Sequence, residues 1–375
     1  FLWWSSHSGH RHLWLVAADG TPQNAVTKGA FDVQQLLAVT PDESAVLFAA
    51  SGEDPRQRHL FAATLDGSEV RQITRERGTH EASLAPDAQR AFVVWSNLTT
   101  RPSARLVDVA SGAVTKLPEA KDPLQGFVLP KQRLFQLSID DDTVLYGHVA
   151  LPPDLQPGQR APVLLYVYGG PHVQLVTDRW LGGAPLWLQA LAGEGFVVCR
   201  LDNRGTPNRG IEFEQAVHRR LGVLEGEDQL RAVQWLAQQP FVDPSRIGVH
   251  GWSFGGYMTL RLMLLAPETF ACGISGAPVT DWALYETGYT ERYMDSPQEN
   301  GDGYTNSSCL ELVERLARPL LVVHGTDDDT VVWAHTLAFV DRCITAGKVI
   351  DYLPYPMQKH GLAGPARKHF LRYLR

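Results

Sequence analysis

A chain of 375 residues can hold two domains with sizeable cores, and 44% hydrophobic with 20% charged residues is an ordinary globular composition. The net charge of −7 argues against nucleic acid as the main partner, and no apolar run reaches the roughly 20 residues that a membrane-spanning helix needs. The four cysteines, Cys199, Cys272, Cys309 and Cys343, lack the paired spacing of zinc ligands; Cys199 and Cys272 sit inside apolar strand-like runs, where buried free thiols are expected.

The first third carries a repeat. Arg11-His12-Leu13-Trp14 returns as Arg58-His59-Leu60-Phe61, 47 residues later, and Asp19-Gly20 returns as Asp66-Gly67 at the same offset. Ser111-Gly112 follows after a further 45 residues, and Thr40-Pro41-Asp42 matches Ala85-Pro86-Asp87. Short β-rich runs at 45–48 and 91–95 lie between these turns. A period near 45 residues, with several short strands and a hairpin turn in each, predicts propeller blades over residues 1–125, the alternative being a sandwich with accidental similarity. Two or three blades cannot close a ring. The expectation is therefore the last blades of an incomplete propeller, with earlier blades upstream of Phe1.

From residue 126 to 375 the pattern changes. An antiparallel-looking pair, 133–139 and 143–151, is separated by Asp140, Asp141 and Asp142. Apolar runs then alternate with longer amphipathic stretches: 163–168, 196–201, 246–250, 271–277, 320–324 and 351–355. Uniformly apolar strands separated by helical segments imply a doubly wound, mostly parallel sheet of eight strands covered on both faces. Residues 242–246 read as the turn into the fifth of these strands.

Directly after that fifth run comes Gly251-Trp252-Ser253-Phe254-Gly255-Gly256-Tyr257, followed by a helix-length apolar stretch. A serine between glycines on a strand-to-helix turn is the pattern of a nucleophile elbow, which exposes a hydroxyl above a sheet. A serine hydroxyl needs a base to take its proton and a carboxylate to orient that base, and in hydrolases of this kind the chain order is serine, acid, histidine. The loop after the seventh strand reads His324-Gly325-Thr326-Asp327-Asp328-Asp329-Thr330, and the loop after the eighth reads Gln358-Lys359-His360-Gly361. Strand carboxyl ends of such a sheet face one side, so the three loops can converge. Ser253, one of Asp327 to Asp329, and His360 are the candidate triad, with His324 a rival base. The oxyanion of an acyl-transfer intermediate needs two donors: the backbone N–H of Phe254 and a group in the loop at 167–171.

Four segments together resemble one family. Val167-Tyr168-Gly169-Gly170-Pro171, the 251–257 elbow, Tyr289-Thr290-Glu291-Arg292-Tyr293-Met294, and His324-Gly325-Thr326 with Asp328 are similar to the prolyl oligopeptidase family of serine peptidases, in its dipeptidyl peptidase IV branch. The resemblance implies an α/β hydrolase joined to a β-propeller. It selects Asp328 as the acid and the hydroxyl of Tyr168 as the second oxyanion donor. It maps a proline pocket onto Phe254, Val279, Trp282, Tyr285, Tyr289 and Val331, and offers Glu286 for a substrate ammonium. A box of aromatic rings suits a pyrrolidine, which has no N–H to satisfy. Two positions depart from the family pattern: Phe254 stands where tyrosine is usual, and Thr330 where dipeptidyl peptidases carry asparagine. The implied activity is release of N-terminal di- or tripeptides after proline or alanine through an acyl-enzyme, without metal or organic cofactor. The implied partners are peptides with proline near the N-terminus, and the resemblance allows a homodimer. An acylaminoacyl peptidase, an esterase of the same fold and a non-catalytic binding homologue remain the alternatives, and the sequence assigns no compartment.

Overall fold

Three small antiparallel sheets form the first third of the computed structural model, which describes residues 1–140 and 143–374. The first contains β1 (Leu2–Ser5), β2 (His12–Val16) and β3 (Pro22–Ala25). The second contains β4 (Val33–Val39), β5 (Ala45–Ala50), β6 (His59–Thr64) and β7 (Val70–Gln72). The third contains β8 (Thr79–Leu84), β9 (Arg90–Ser96), β10 (Ser103–Asp108) and β11 (Val114–Lys116). The sequence repeats fall at equivalent places: the Leu13 and Leu60 N–H groups each donate to a threonine hydroxyl, of Thr27 and Thr74, both at 2.9 Å. The sheets stack face to face as blades. Side chains of β5 point alternately to opposite faces, so Val46 and Phe48 pack with Leu13 of the first sheet while Leu47 packs with Val93 and Val107 of the third. That is why β5 is apolar throughout rather than alternating.

An eight-stranded sheet follows, made of β12 (Lys131–Ser138), β13 (Val144–Leu151), β14 (Ala161–Tyr166), β15 (Val197–Asp202), β16 (Val242–Trp252), β17 (Cys272–Gly276), β18 (Leu320–Gly325) and β19 (Asp351–Tyr355). Its order is β12-β13-β15-β14-β16-β17-β18-β19; β13 runs antiparallel to both of its neighbours, β12 and β15, and the remaining pairings are parallel. This is an α/β-hydrolase sheet, and all eight expected strands are in it. Of the aspartates expected between the first two strands, Asp141 and Asp142 lie outside the described residues. The predicted turn at 242–246 is absorbed into β16: Ala161 faces Val242 but Val163 faces Ile247, so the intervening residues bulge out. Asp243 stabilises that bulge by accepting the Ser245 N–H at 3.0 Å.

The helices are α1 (Leu186–Gly193), α2 (Ile211–Gln215), α3 (Leu224–Ala237), α4 (Phe254–Leu265), α5 (Thr287–Met294), α6 (Gly301–Ser307), α7 (Ala334–Thr345) and α8 (Gly364–Tyr373). Helices α3, α4 and α7 cover one face of the sheet, in one cluster with Val163, Leu165 and Val249. Helices α1 and α8 cover the other, against Leu164 and Val198 or Ile274 and Val323. Every residue of α4 except its last is buried, as expected for a helix apolar around its whole circumference. Cys199 is buried, as expected, but Cys272 is exposed. The correction has a plain cause: α1 and α8 do not meet over β17, and the gap is an apolar cavity of about 330 Å³ lined by Cys272, Trp187, Leu191 and Leu371.

The segment after β14 is clamped from two sides. From the sheet, Arg200 donates to the carbonyls of Leu175 (2.9 Å) and Gly182 (2.8 Å), and Asp202 accepts the N–H groups of Leu175 (2.8 Å) and Val176 (3.0 Å). From the blades, Asp178, 1% exposed, accepts the Leu98 N–H at 2.9 Å and pairs with Arg77. Its carbonyl takes the Thr79 hydroxyl at 3.1 Å and its N–H donates to Arg56 O at 2.8 Å.

Candidate active site

Ser253 sits at the tip of the turn between β16 and α4 with φ 62 and ψ −122, a region that non-glycine residues enter at a cost of about 1–3 kcal/mol. Its N–H donates to Gly276 O at 2.8 Å, which fixes the turn against β17. Close approach explains the flanking glycines. A Cβ on Gly255 would lie 2.3 Å from Val167 O, and one on Gly256 would lie 2.2 Å from Gly276 O. The neighbouring strands close in on the elbow from both sides, so any side chain there would push it apart. Phe254 opens α4, and its N–H belongs to the first turn, whose donors have no partner within the helix.

The loop after β18 separates its three aspartates clearly. The side chains of Asp327 and Asp329 are 51% and 68% exposed and pair with Lys359, whereas that of Asp328 is fully buried. Four donors converge on Asp328. Oδ1 accepts the N–H groups of Thr330 and Val331, both at 2.9 Å; Oδ2 accepts from His360 Nδ1 at 2.8 Å and His324 Nε2 at 3.1 Å. Burial pushes this carboxyl up, but the bonds from His324, His360 and Thr330 outweigh it and hold the group well below the usual carboxylate range. His324 is itself fully buried, with Nδ1 on the Thr336 hydroxyl at 2.7 Å and Nε2 shared with Val331 O at 2.8 Å. Both its nitrogens are engaged in the interior beneath Asp328.

His360 follows β19, and its Nδ1 contact with Asp328 leaves the ring's other nitrogen on the opposite side. Its loop is tied to the elbow: the indole Nε1 of Trp252, the residue before Ser253, donates to His360 O at 2.7 Å. Asp327 N–H donates to Gln358 O at 3.1 Å, so the loops after β16, β18 and β19 are knitted into one surface.

Tyr168 stands two residues beyond the end of β14, with its hydroxyl 2.9 Å from His172 Nε2. Burial, and then the phenols of Tyr285 and Tyr293, push the Tyr168 hydroxyl well above its usual value, so it remains a protonated donor. His172 Nδ1 lies 3.3 Å from the Tyr289 hydroxyl, and both tyrosine rings meet the imidazole edge-on. The rings named in the sequence form one aromatic group: Phe254 lies 5.4 Å from Trp282, Trp282 stacks on Tyr289 at 5.9 Å, and Tyr285 meets Tyr289 edge-on at 5.5 Å. Val279 and Val331 are buried beneath them, and the Val331 backbone also bonds Asp328 and His324. Glu286 is exposed at the N-cap of α5.

Sequence reasoning missed three contributors. Tyr257 packs edge-on against Phe254 at 5.4 Å, and its hydroxyl lies 2.8 Å from Leu221 O. Tyr293 approaches Tyr289 to 4.8 Å. His172 joins two of the named residues, and the available signal was its place four positions after Tyr168 in the same glycine-rich loop.

A family model described as the prolyl oligopeptidase family matches residues 186–374, half of the chain. The chain belongs to the prolyl oligopeptidase family. A second model, the dipeptidyl peptidase IV N-terminal region, matches residues 1–102 and places it in that branch. Mouse dipeptidyl peptidase 8 is 34% identical over 349 residues, covering 88% of this chain and 39% of that protein. The human dipeptidyl peptidase 8 is 33% identical over 374 residues, covering 93% of this chain and 41% of its own length. Among solved structures, Porphyromonas gingivalis dipeptidyl peptidase 4 superposes with a TM-score of 0.92 at 30% identity, covering 100% of this chain and 53% of that one. The chain thus spans less than half the length of these curated relatives.

Proposed function

We propose that the protein is a serine dipeptidyl peptidase that removes N-terminal dipeptides from peptides with proline, or less readily alanine, in the second position. The observation that carries this reading is the hydrogen bond between His360 Nδ1 and buried Asp328, held by Trp252 in the loop next to the elbow serine. In this reading Ser253 attacks the carbonyl after the second residue, and His360 takes its proton and returns it to the leaving amine. Asp328 fixes the imidazole tautomer and stabilises the imidazolium. The Phe254 N–H and the Tyr168 O–H receive the oxyanion, and water then releases the acyl-enzyme by the same route in reverse.

The rings of Phe254, Trp282, Tyr285 and Tyr289, over Val279 and Val331, take the pyrrolidine. Glu286, open to solvent at the head of α5, is available to a free amino terminus. Dipeptides are preferred over tripeptides here because the matched relatives carry dipeptidyl peptidase names. The blades give way to the hydrolase at about 125/126, within the connection between β11 and β12.

The test is a panel of Gly-Pro-, Ala-Ala-Pro- and acetyl-Ala-p-nitroanilides with p-nitrophenyl butyrate. Gly-Pro should be the preferred substrate, and Ser253→Ala should lower turnover about 10⁶-fold. Preference for acetyl-Ala or butyrate would transfer the protein to the acylaminoacyl peptidases or esterases, and turnover that survives Ser253→Ala would remove the serine mechanism.

A further inference from the structure

The Tyr168 hydroxyl has one hydrogen, and the proposed mechanism asks it to point at the oxyanion. Yet its oxygen already lies 2.9 Å from His172 Nε2. If the phenol donates to His172, nothing is left for the substrate; if it accepts, the hydrogen is free and polarised by the bond behind it. Which of these holds is decided at the far side of the imidazole. A neutral imidazole has one donor and one acceptor nitrogen, and both nitrogens of His172 face a phenol, Tyr168 at 2.9 Å and Tyr289 at 3.3 Å. The chain of three groups therefore has two self-consistent polarities, and fixing one end fixes the other.

Resting on the serine peptidase reading above, we infer that His172 is a positioning residue for the oxyanion donor: Tyr289 O–H donates to His172 Nδ1, His172 Nε2–H donates to the Tyr168 oxygen, and the Tyr168 hydrogen is thereby held free for the substrate. Three observations support a neutral, fixed imidazole between the two phenols, and of its two polarities only this one leaves the Tyr168 hydrogen to the substrate. Packing against the two tyrosines partly desolvates the otherwise solvent-facing imidazole and, with the Arg292 guanidinium, pushes it below its usual value, so the neutral ring with its single N–H prevails near pH 7. Edge-on packing of both tyrosines, each with ring centroids 5.6 Å from the imidazole, fixes the plane of the ring. Tyr289 is itself held by stacking on the buried Trp282, with 16° between the ring planes.

The arrangement has a consequence for specificity. Tyr289 belongs to the aromatic box, so a side chain seated against its ring presses on the same phenol that sets the imidazole's tautomer. The aromatic box and the oxyanion donor thus share one side chain, Tyr289. His172 also borders a cavity of about 790 Å³ lined by Arg56, Arg58, Glu214, Arg292 and Tyr293, so the relay stands where the site meets the blades.

The test separates ring packing from hydrogen bonding in the full chain. His172→Phe keeps an aromatic ring edge-on to both tyrosines but has no polar atoms. His172→Gln restores a donor and an acceptor. With a Gly-Pro chromogenic substrate, His172→Phe should lower kcat about fivefold to tenfold, the worth of one neutral hydrogen bond, with KM within about twofold. Affinity for a peptide boronic acid, whose tetrahedral adduct places an oxygen in the oxyanion position, should fall by the same factor. His172→Gln should recover most of the loss, and Tyr289→Phe should reproduce part of it. In a Tyr168→Phe background, His172→Phe should have no further effect, because the donor it positions is gone.

A full additional loss in that background, a loss carried by KM alone, or no loss at all overturns the inference. Should His172→Phe fail to fold, Tyr289→Phe in the two Tyr168 backgrounds makes the same comparison. Ser253-dependent turnover with an indifferent His172→Phe refutes this inference alone, whereas turnover indifferent to Ser253→Ala refutes the peptidase reading and the inference with it.

Discussion

Replacing Asp328 by asparagine changes no shape and little volume, yet it should nearly abolish turnover. The four donors that converge on the carboxylate, two backbone N–H groups and two imidazoles, can be met by four lone-pair sites on a carboxylate but not by an amide, which accepts at one oxygen only. If the asparagine oxygen faces the N–H groups of Thr330 and Val331, its NH₂ faces His324 Nε2 and His360 Nδ1. His360 must then present a bare Nδ1, which moves its proton to Nε2, on the side where the serine proton should go. The base is occupied before the reaction begins.

A misplaced tautomer of this kind lowers kcat about 10⁴-fold, equivalent to roughly 5.4 kcal/mol at 1.36 kcal/mol per decade. KM should change little, because no substrate contact is lost. The assay is steady-state hydrolysis of a Gly-Pro chromogenic substrate, with circular dichroism and a thermal melt on the same preparation to separate lost chemistry from lost fold. Turnover within tenfold of the parent in a folded Asp328→Asn protein would refute the assignment of Asp328 as the orienting acid.

Tyr168→Phe keeps the ring against Phe254 but removes one oxyanion donor; kcat should fall about 10²- to 10³-fold, with acylation by a fluorophosphonate slowed in parallel, and an unchanged rate would take Tyr168 out of the mechanism. Glu225 concerns stability. Its carboxyl is fully buried, one oxygen accepts the Gly222 N–H at 2.8 Å, and burial pushes its pKa up from 4.5 to about 8. Between those values the folded state holds a proton that the unfolded chain has released, so stability falls as pH rises from about 4.5 to 8, by up to roughly 4 kcal/mol. Glu225→Gln keeps the Gly222 bond without the charge: its melting temperature should exceed the parent's at pH 8 and converge with it near pH 4.5, and equal melting at both would show that Glu225 stays ionised.

The eight strands of the hydrolase were legible because each is a short uniform apolar run bounded by polar turns, a pattern that survives any ordering. Their spatial order was not, since β14 lying between β15 and β16 leaves no mark on either run. The elbow was legible through its glycines, because crowding by Val167 O and Gly276 O admits no Cβ and therefore constrains residue type directly. The proposed acid was confined to a run of three aspartates, and burial tells them apart: Lys359 holds the outer two in solvent while the loop folds Asp328 inward. His172 escaped because a histidine near solvent carries no periodic signal, and its meaning depends on Tyr289, 117 positions away in the chain. Cys272 was misread for a related reason: the apolar run predicts a strand, but only the packing of α1 and α8 decides which of its side chains is covered.

The grip of Asp178 has a practical corollary. The stretch that carries the Tyr168 phenol is moored at one end to the hydrolase sheet and at the other to the propeller, so neither module owns it outright. Excising the hydrolase as a tidy stand-alone unit from residue 126 onward would strip Asp178 of Arg77, Thr79 and Leu98, stranding a fully enclosed carboxylate in open water and setting its loop adrift. In this architecture the blades help to hold the loop that follows Tyr168, and a minimal hydrolase module has to be cut with them attached.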